Sequence, residues 1–291
     1  MAGWVSNSET DTFLVCERRH YYAFGEKLQR RRYGDGLMRG IIGHTALAMY
    51  YEPLKRIKPL QMDLDMAKAA MVAYLDQEIT KWALAGDSDL VELIAALRKR
   101  LLEYVEYYQD EFDEWEILTV EHEFNYEDFP FKPDMVKRHR YTGEVRLVDH
   151  KYLYNFYQPG KVVVFPQLPK YVGALRDLGF RVDSAEYNMI RHRKDAVEKF
   201  KRMKVDIPEK RIETYQHEQE VATRRINSYK AMGVEEWEQN ILRTANSFTC
   251  NNCPFIDLCV TDLDGLKGRD LLVRTDYEPN TYGYAEYETD E

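Results

Sequence analysis

The fold class this sequence predicts is α/β, a mixed-sheet core with helical additions. Three observations predict it. Segments around 115–126, 131–136, 144–150 and 180–191 alternate apolar and polar residues with the period of a strand. Leu90, Leu93, Ile94, Leu97, Leu101 and Tyr104 instead recur at helical spacing. The elements also run in the order helices, three strands, helix, strand, helices, the order of an α/β core with additions at both ends.

In chain order, residues 8–24 read as a helix, with Ser8 or Thr10 as its cap and Gly25 as its stop. It carries Cys16, followed by the basic and aromatic run Glu17 to Tyr22. A second helix spans 36–51, where small residues at 40, 43, 46 and 48 surround His44 and would admit a close neighbour. Helices at 63–85 and 87–112, separated by Gly86, read as a cap or insertion. A strand over 115–126 puts Val120, His122 and Phe124 on one face and Glu121 and Glu123 on the other. With the hairpin that follows it forms an antiparallel meander. An aromatic loop, 152–164, leads to a helix at 166–178, where Pro169 is tolerable only in the first turn. A strand at 180–191 and helices at 209–232 and 234–245 complete the chain up to its cysteine segment. The expected divisions are 1–35, 36–114, 115–207, 208–262 and 263–291.

Composition bounds the function. The chain has 291 residues, 44% hydrophobic and 31% charged, as in soluble globular proteins. It has no apolar run of the ~20 residues a membrane span needs. Its N-terminus lacks a basic and apolar leader, so a cytoplasmic location is expected. The net charge of −9 is unevenly spread. Asp276, Glu278, Glu286, Glu288, Asp290 and Glu291 make an acidic tail, while basic clusters stand at 27–32, 191–194, 199–204 and 224–225. Local patches, not net charge, decide phosphate binding, although each cluster alone also suits a solvated helix face.

The chemistry centres on 133–151, PDMVKRHRYTGEVRLVDHK. Two alternating segments flank a polar turn at 137–143 bearing Gly143, a hairpin signal. Asp134 falls on the first strand. Asp149 and Lys151, two apart on the second, leave the same face. Two carboxylates can hold a hard divalent cation, and a neighbouring lysine can orient or polarise a water held there. The alternative is a surface hairpin with scattered charges.

The four cysteines are Cys16, Cys250, Cys253 and Cys259, the last three as C-x2-C-x5-C. In a cytosolic chain such spacing points to ligation rather than disulfides. Four thiolates suit tetrahedral zinc or an iron–sulfur cluster, and either would tie the N-terminal helix to the C-terminal segment.

Together these residues resemble the RecB-like branch of the PD-(D/E)XK nucleases. More narrowly, they resemble its iron–sulfur members, the CRISPR-adaptation nucleases and the nuclease domain of the AddAB-type helicase–nucleases. The family's motifs are matched in order by Cys16 through Tyr22, by Gly40 and His44, by Pro133-Asp134, by Asp149-His150-Lys151, by Gln167 and Tyr171, and by Cys250, Cys253 and Cys259. No phosphate-binding loop of a helicase motor is present. The resemblance implies a restriction-endonuclease-like core with a central mixed sheet, an N-terminal helical insertion and a C-terminal iron–sulfur segment.

The roles it implies are specific. His44, Asp134 and Asp149, with the Val148 carbonyl as an extra ligand, would hold Mg2+ or Mn2+, and the imidazole leans the choice to manganese. Lys151 would orient the attacking water and stabilise developing charge. Gln167 and Tyr171 would position DNA. Arg30, Arg31, Arg32, Arg191 and Arg193 would track its backbone, with Tyr154 or a neighbouring aromatic stacking on unpaired bases. The four cysteines would carry a structural 4Fe–4S cluster, with Zn2+ the alternative. The expected function is a metal-dependent deoxyribonuclease, an exonuclease on single-stranded or end-bearing DNA. Its setting would be recombination and repair, CRISPR adaptation or a mobile element, with protein partners of such a complex. The readings it competes with are a non-catalytic DNA-binding scaffold and a zinc-stapled interaction protein.

Overall fold

The strand-period segments assemble around one mixed sheet, seen in a computed structural model that describes residues 5–126 and 129–280. The tail acids Glu286, Glu288, Asp290 and Glu291 lie outside the described residues. The first elements are α1 (Asn7–Val15), α2 (Glu17–His20), β1 (Leu28–Arg30), α3 (Asp35–Tyr51), α4 (Gln61–Leu84), α5 (Ser88–Tyr107) and α6 (Glu111–Glu114). Then come β2 (Trp115–Val120), β3 (Phe124–Tyr126), β4 (Phe129–Phe131), β5 (Met135–His139) and β6 (Val145–Leu153). The chain continues through α7 (Pro159–Val162), α8 (Gln167–Asp177), β7 (Ser184–Arg191), β8 (Phe200–Val205) and α9 (Glu209–Lys230). It closes with α10 (Val234–Asn240), α11 (Ser247–Asn251), α12 (Ile256–Leu263), α13 (Arg269–Asp276) and β9 (Tyr277–Pro279). Among the described residues no helix is long and apolar enough to cross a membrane.

The chain divides into two units. The larger, Gly34–Tyr126 with Phe131–Gln216, holds the sheet, in the order β2-β5-β6-β7-β8. All its pairs are antiparallel except β6–β7, which α8 joins as a parallel crossover. The smaller unit comprises Met1–Tyr33, Glu127–Pro130 and His217–Glu291. In it β1 pairs antiparallel with β9, and Tyr21, Tyr22, Trp237, Phe255, Leu258 and Tyr277 share a buried core.

Several expectations are corrected. The first predicted helix breaks at Cys16, whose backbone is extended (φ −166°, ψ 119°), and Ser6, not Ser8 or Thr10, caps α1 by accepting the Glu9 N–H. The predicted strand 115–126 ends at Val120, because Glu121 turns left-handed with φ 44°. Lys137 lies inside β5, not in the hairpin turn, and is 1% exposed. The strand expected from 180 begins at Ser184. The fifth strand, β8, has no counterpart among the predicted elements, since its Lys201, Arg202 and Lys204 suggest a solvated segment. Arg202 is in fact held by Glu111 at 2.7 Å and by the Tyr104 hydroxyl at 3.0 Å, and Lys137 by Glu186 at 3.0 Å. Buried charges persist in a sheet face when each has a partner in reach, as these have.

Gly43 sets how closely α3 approaches the sheet. A Cβ there would stand 2.3 Å from Cζ of the half-buried Tyr152 ring on β6, whereas one at Gly40 would meet nothing. Of the predicted small-residue positions, 43 is therefore the one where close approach excludes a side chain. Gly43→Ala is expected to cost ~1–3 kcal/mol, as overpacking does, and to weaken metal binding through its neighbour His44. Denaturant unfolding checks this, and an unchanged midpoint contradicts it.

Candidate functional site

The site forms where β5 stops short. β5 starts at Met135, opposite Val148, but β6 runs on to Leu153. Among the described residues, the β5-facing edge of β6 has no strand partner beyond Val148, and Asp134 takes its place. Asp134 Oδ2 accepts the His150 backbone N–H at 2.5 Å. The Asp134 carbonyl accepts the Glu121 N–H at 2.9 Å. Asp134 thus lies in the bend just before β5, not on the strand as predicted.

From one face of the sheet, α3 brings His44. Its Nδ1 lies 3.3 Å from Asp134 Oδ1 and 3.7 Å from Glu121 Oε1. Donor atoms of His44, Glu121 and Asp134 all fall within 4.8 Å of one another. Glu121 is itself held by Lys132 at 3.0 Å. Burial alone would lower the His44 imidazole, but the charges of Asp134 and Glu121 overcome it and push its pKa up to about 10. Burial acts against the Asp134 carboxylate too, yet the cations around it, His44 first, hold it well below the usual range. His44 Nδ1 is shielded from water and makes no well-formed hydrogen bond. An orphaned nitrogen among carboxylate oxygens fits a divalent cation of the Mg2+ or Mn2+ kind.

From the other face, Asp149 and Lys151 point the same way, as their spacing predicts. Lys151 Nζ is 2.8 Å from Asp149 Oδ2 and donates to Gln167 Oε1 at 3.0 Å. Gln167 is the first residue of α8, and Pro169 falls in that helix's first turn, where its missing N–H leaves no bond unmade. Burial pushes the Asp149 carboxyl up to about 6, with Asp134 adding to the rise and Lys151 opposing it. Asp149 therefore sits within electrostatic reach of His44 and Asp134 but outside the close donor group. Between these residues His150 points to the α3 face. Its ring stacks on Tyr51, and Asn188 Nδ2 donates to its Nδ1 at 2.7 Å. Burial pulls its pKa down to about 4.

The remaining predicted residues are dispersed. Tyr171, one turn after Gln167, packs its ring 5.2 Å from Phe131. Tyr154 is exposed, with the Arg193 guanidinium 5.9 Å from its ring centroid, and Arg191 lies 3.9 Å over Phe156. In the smaller unit Arg30 is committed internally, to the Pro254 carbonyl at 2.6 Å and to Asp257 and Asp276. Arg31 donates to the Arg274 carbonyl at 3.2 Å, and Arg32 precedes α3 on the loop after β1.

Also in the smaller unit, Cys16 sits at the break between α1 and α2, Cys250 in α11, Cys253 just after it and Cys259 in α12. All four thiols are free and half-buried. Burial raises Cys253, and the neighbouring Cys16 and Cys259 raise it further, against Arg19. Among the described residues no three of these sulfurs approach within 4.8 Å.

Sequence reasoning missed Glu121. Alternation assigned it to an outward strand position, and the left-handed turn that redirects it has no signature in residue type. The family model of the PD-(D/E)XK nuclease superfamily matches residues 5–260. No curated protein matches the chain.

The His44 shift predicts a pH dependence. Its ion pair stabilises the metal-free fold fully below its free value near 6.5, and this is lost as pH rises through about 10. A metal must displace that proton, so binding at pH 8 should release about one proton. Calorimetric titration with Mn2+ in buffers of different ionisation enthalpy reads the number, and buffer-independent heat contradicts it.

Proposed function

The chain belongs to the PD-(D/E)XK nuclease superfamily, and from that premise we propose that it is a metal-dependent deoxyribonuclease of the RecB-like branch, an exonuclease on single-stranded or end-bearing DNA. The observation that carries this is the convergence of His44, Glu121 and Asp134 beside the Asp149–Lys151–Gln167 chain. A non-catalytic scaffold would have no need of a lysine held between a buried carboxylate and an amide at the edge of a cation-sized donor group.

His44, Glu121 and Asp134 would hold Mg2+ or Mn2+, with Asp149 and a backbone carbonyl of the open β6 edge, that of Val148 or His150, completing the shell. When bound, the cation supplies Lewis acidity toward the scissile phosphate and lowers the pKa of water. Lys151, kept protonated by Asp149 and aimed by Gln167, orients the attacking water and offsets charge growing on the phosphate. Asp134 fixes the β6 edge through the His150 N–H while serving the cation with its other oxygen. Tyr171, on the next turn of α8, is buried against Phe131. The exposed Tyr154 ring, with the half-buried Arg191 and with Arg193 held on Asp195, would form a basic and aromatic patch for single strands. Arg31 and Arg32 would add backbone contacts, with Arg30 anchoring their loop.

Cys16, Cys250, Cys253 and Cys259 would hold a structural 4Fe–4S cluster. The reading rests on the C-x2-C-x5-C spacing together with Cys16, and Zn2+ is the alternative occupant of the same four thiols. A cytoplasmic setting in repair, recombination, CRISPR adaptation or a mobile element, with protein partners, completes the proposal.

Lys151→Ala should lower Mn2+-dependent degradation of end-labelled DNA by about 10²-fold or more while leaving the fold intact, and EDTA should abolish it. Full activity in the variant removes this lysine from the mechanism. Cys253→Ser should bleach a brown protein and destabilise it, whereas a colourless protein with one equivalent of zinc contradicts the cluster.

A further inference from the structure

Besides His44, α3 brings a second cation to the sheet. Gly43 of that helix rests on the Tyr152 ring of β6, and Arg39 stands one turn earlier on the same helix face. Tyr152 lies beside Ile190 of β7. The ladder between these strands runs one bond further, from the His192 N–H to the Leu153 carbonyl at 2.9 Å. His192, two residues past Ile190, therefore faces α3 as His150 and Tyr152 do. The Tyr154 ring lies 5.7 Å from the His192 ring and is 57% exposed. Burial lowers the His192 imidazole, and the charges of Arg39 and Arg100 lower it further. Arg39, His192 and Tyr154 thus gather at the ends of the two parallel strands, on the sheet face that carries His44.

The neighbouring arginines are committed. Arg193 is held on Asp195 at 2.6 Å, and Arg100 on Glu103 at 3.4 Å and on the Arg193 carbonyl at 3.1 Å. Arg39 is half-buried, yet among the described residues its guanidinium has no hydrogen bond or ion pair. Burial pulls it below the ordinary arginine range, and Asp35, one turn earlier on α3, only partly opposes this. A half-buried guanidinium without a partner is costly to keep, so it marks a place for an anion from outside. The helix surface between Arg39 and the cation site is also open, because Gly40 lies there and a Cβ on it would meet nothing. A glycine inside a helix destabilises it, and no packing in the protein calls for this one.

A guanidinium and an imidazole beside an exposed ring match one phosphate of a single strand. We propose that Arg39 and His192 clamp a phosphate of the DNA strand close to the one being cut, and so fix which bond reaches the cation. This rests on the nuclease reading. Arg39 supplies the charge, and His192 donates a ring N–H, which it carries in its neutral form as well. Arg39 and His44 are separated by about 7.5 Å along α3, at a rise of about 1.5 Å per residue. At about 3.4 Å per nucleotide, the clamped phosphate lies about two steps from the scissile one. The clamp positions the strand and takes no part in the chemistry.

The test compares the wild type with Arg39→Gln and with His192→Gln. Fluorescence anisotropy in EDTA follows binding of a labelled single-stranded dodecanucleotide over a range of salt. Arg39→Gln should bind about tenfold more weakly, and the slope of log K against log salt should fall by about 0.7, the share of one phosphate contact. With Mn2+, the first cut is then timed on dodecanucleotides that each carry one neutral methylphosphonate. The wild type should lose about tenfold in kcat/KM at one linkage about two steps from the cut, and Arg39→Gln should show no such penalty there, since the contact is already gone. His192→Gln should weaken binding by less, shrink the same penalty, and keep the test readable if Arg39→Gln fails to fold. Wild-type affinity and slope in the variants, or a methylphosphonate penalty unchanged in them, overturn the clamp and leave the nuclease reading standing. A loss of Mn2+ affinity in Arg39→Gln, which would make Arg39 a support for His44, also overturns it. A wild type that neither binds nor cuts DNA overturns the nuclease reading itself, and the clamp falls with it.

Discussion

One short bond organises the site: the His150 N–H given to the Asp134 carboxylate at the point where β5 ends. A central strand normally has both edges paired, which keeps the residues of its two faces apart. β6 loses one neighbour after Val148 while β7 continues beside it to Leu153. That gap lets an imidazole from the α3 face and a carboxylate–ammonium pair from the α8 face approach the same region. Asp134 does two jobs there. One oxygen replaces the missing strand, and the other faces His44.

The surrounding packing keeps this arrangement rigid. On the α3 face Asn188, Tyr104, Tyr51, Glu111 and Arg202 form a chain of buried hydrogen bonds that ends on the His150 ring. Buried polar groups so connected fix orientation, because any displaced member leaves another unsatisfied. On the α8 face Gln167 holds Lys151 from a helix start rather than from a loop, so its position follows that of the helix. Gly43 allows α3 to come down onto Tyr152, which brings the adjacent His44 into range.

Much of this was legible in the sequence. The Asp149–Lys151 spacing gave a shared face directly, and Gln167 with Pro169 marked a helix start that the structure reproduces. His44 drew notice as a polar residue in an apolar, small-residue helix. What escaped was written in backbone geometry. Glu121 enters the site through a left-handed turn, and the break at Cys16 through an extended residue inside a helical pattern. β8 escaped for a different reason. Its charges are neutralised by partners distant in sequence, Glu111 for Arg202 and Glu144 for Lys204, so local polarity suggested solvent where the fold supplies ion pairs.

The central claim is that a single divalent cation is caged by groups from α3, from the turn after β2 and from the bend before β5. Anomalous diffraction from crystals grown with Mn2+ tests it most directly. The account predicts one strong manganese peak in bonding contact with His44, Glu121 and Asp134, with Asp149 at its border. A peak elsewhere in the larger unit, or full lattice occupancy with no peak at these residues, would contradict it.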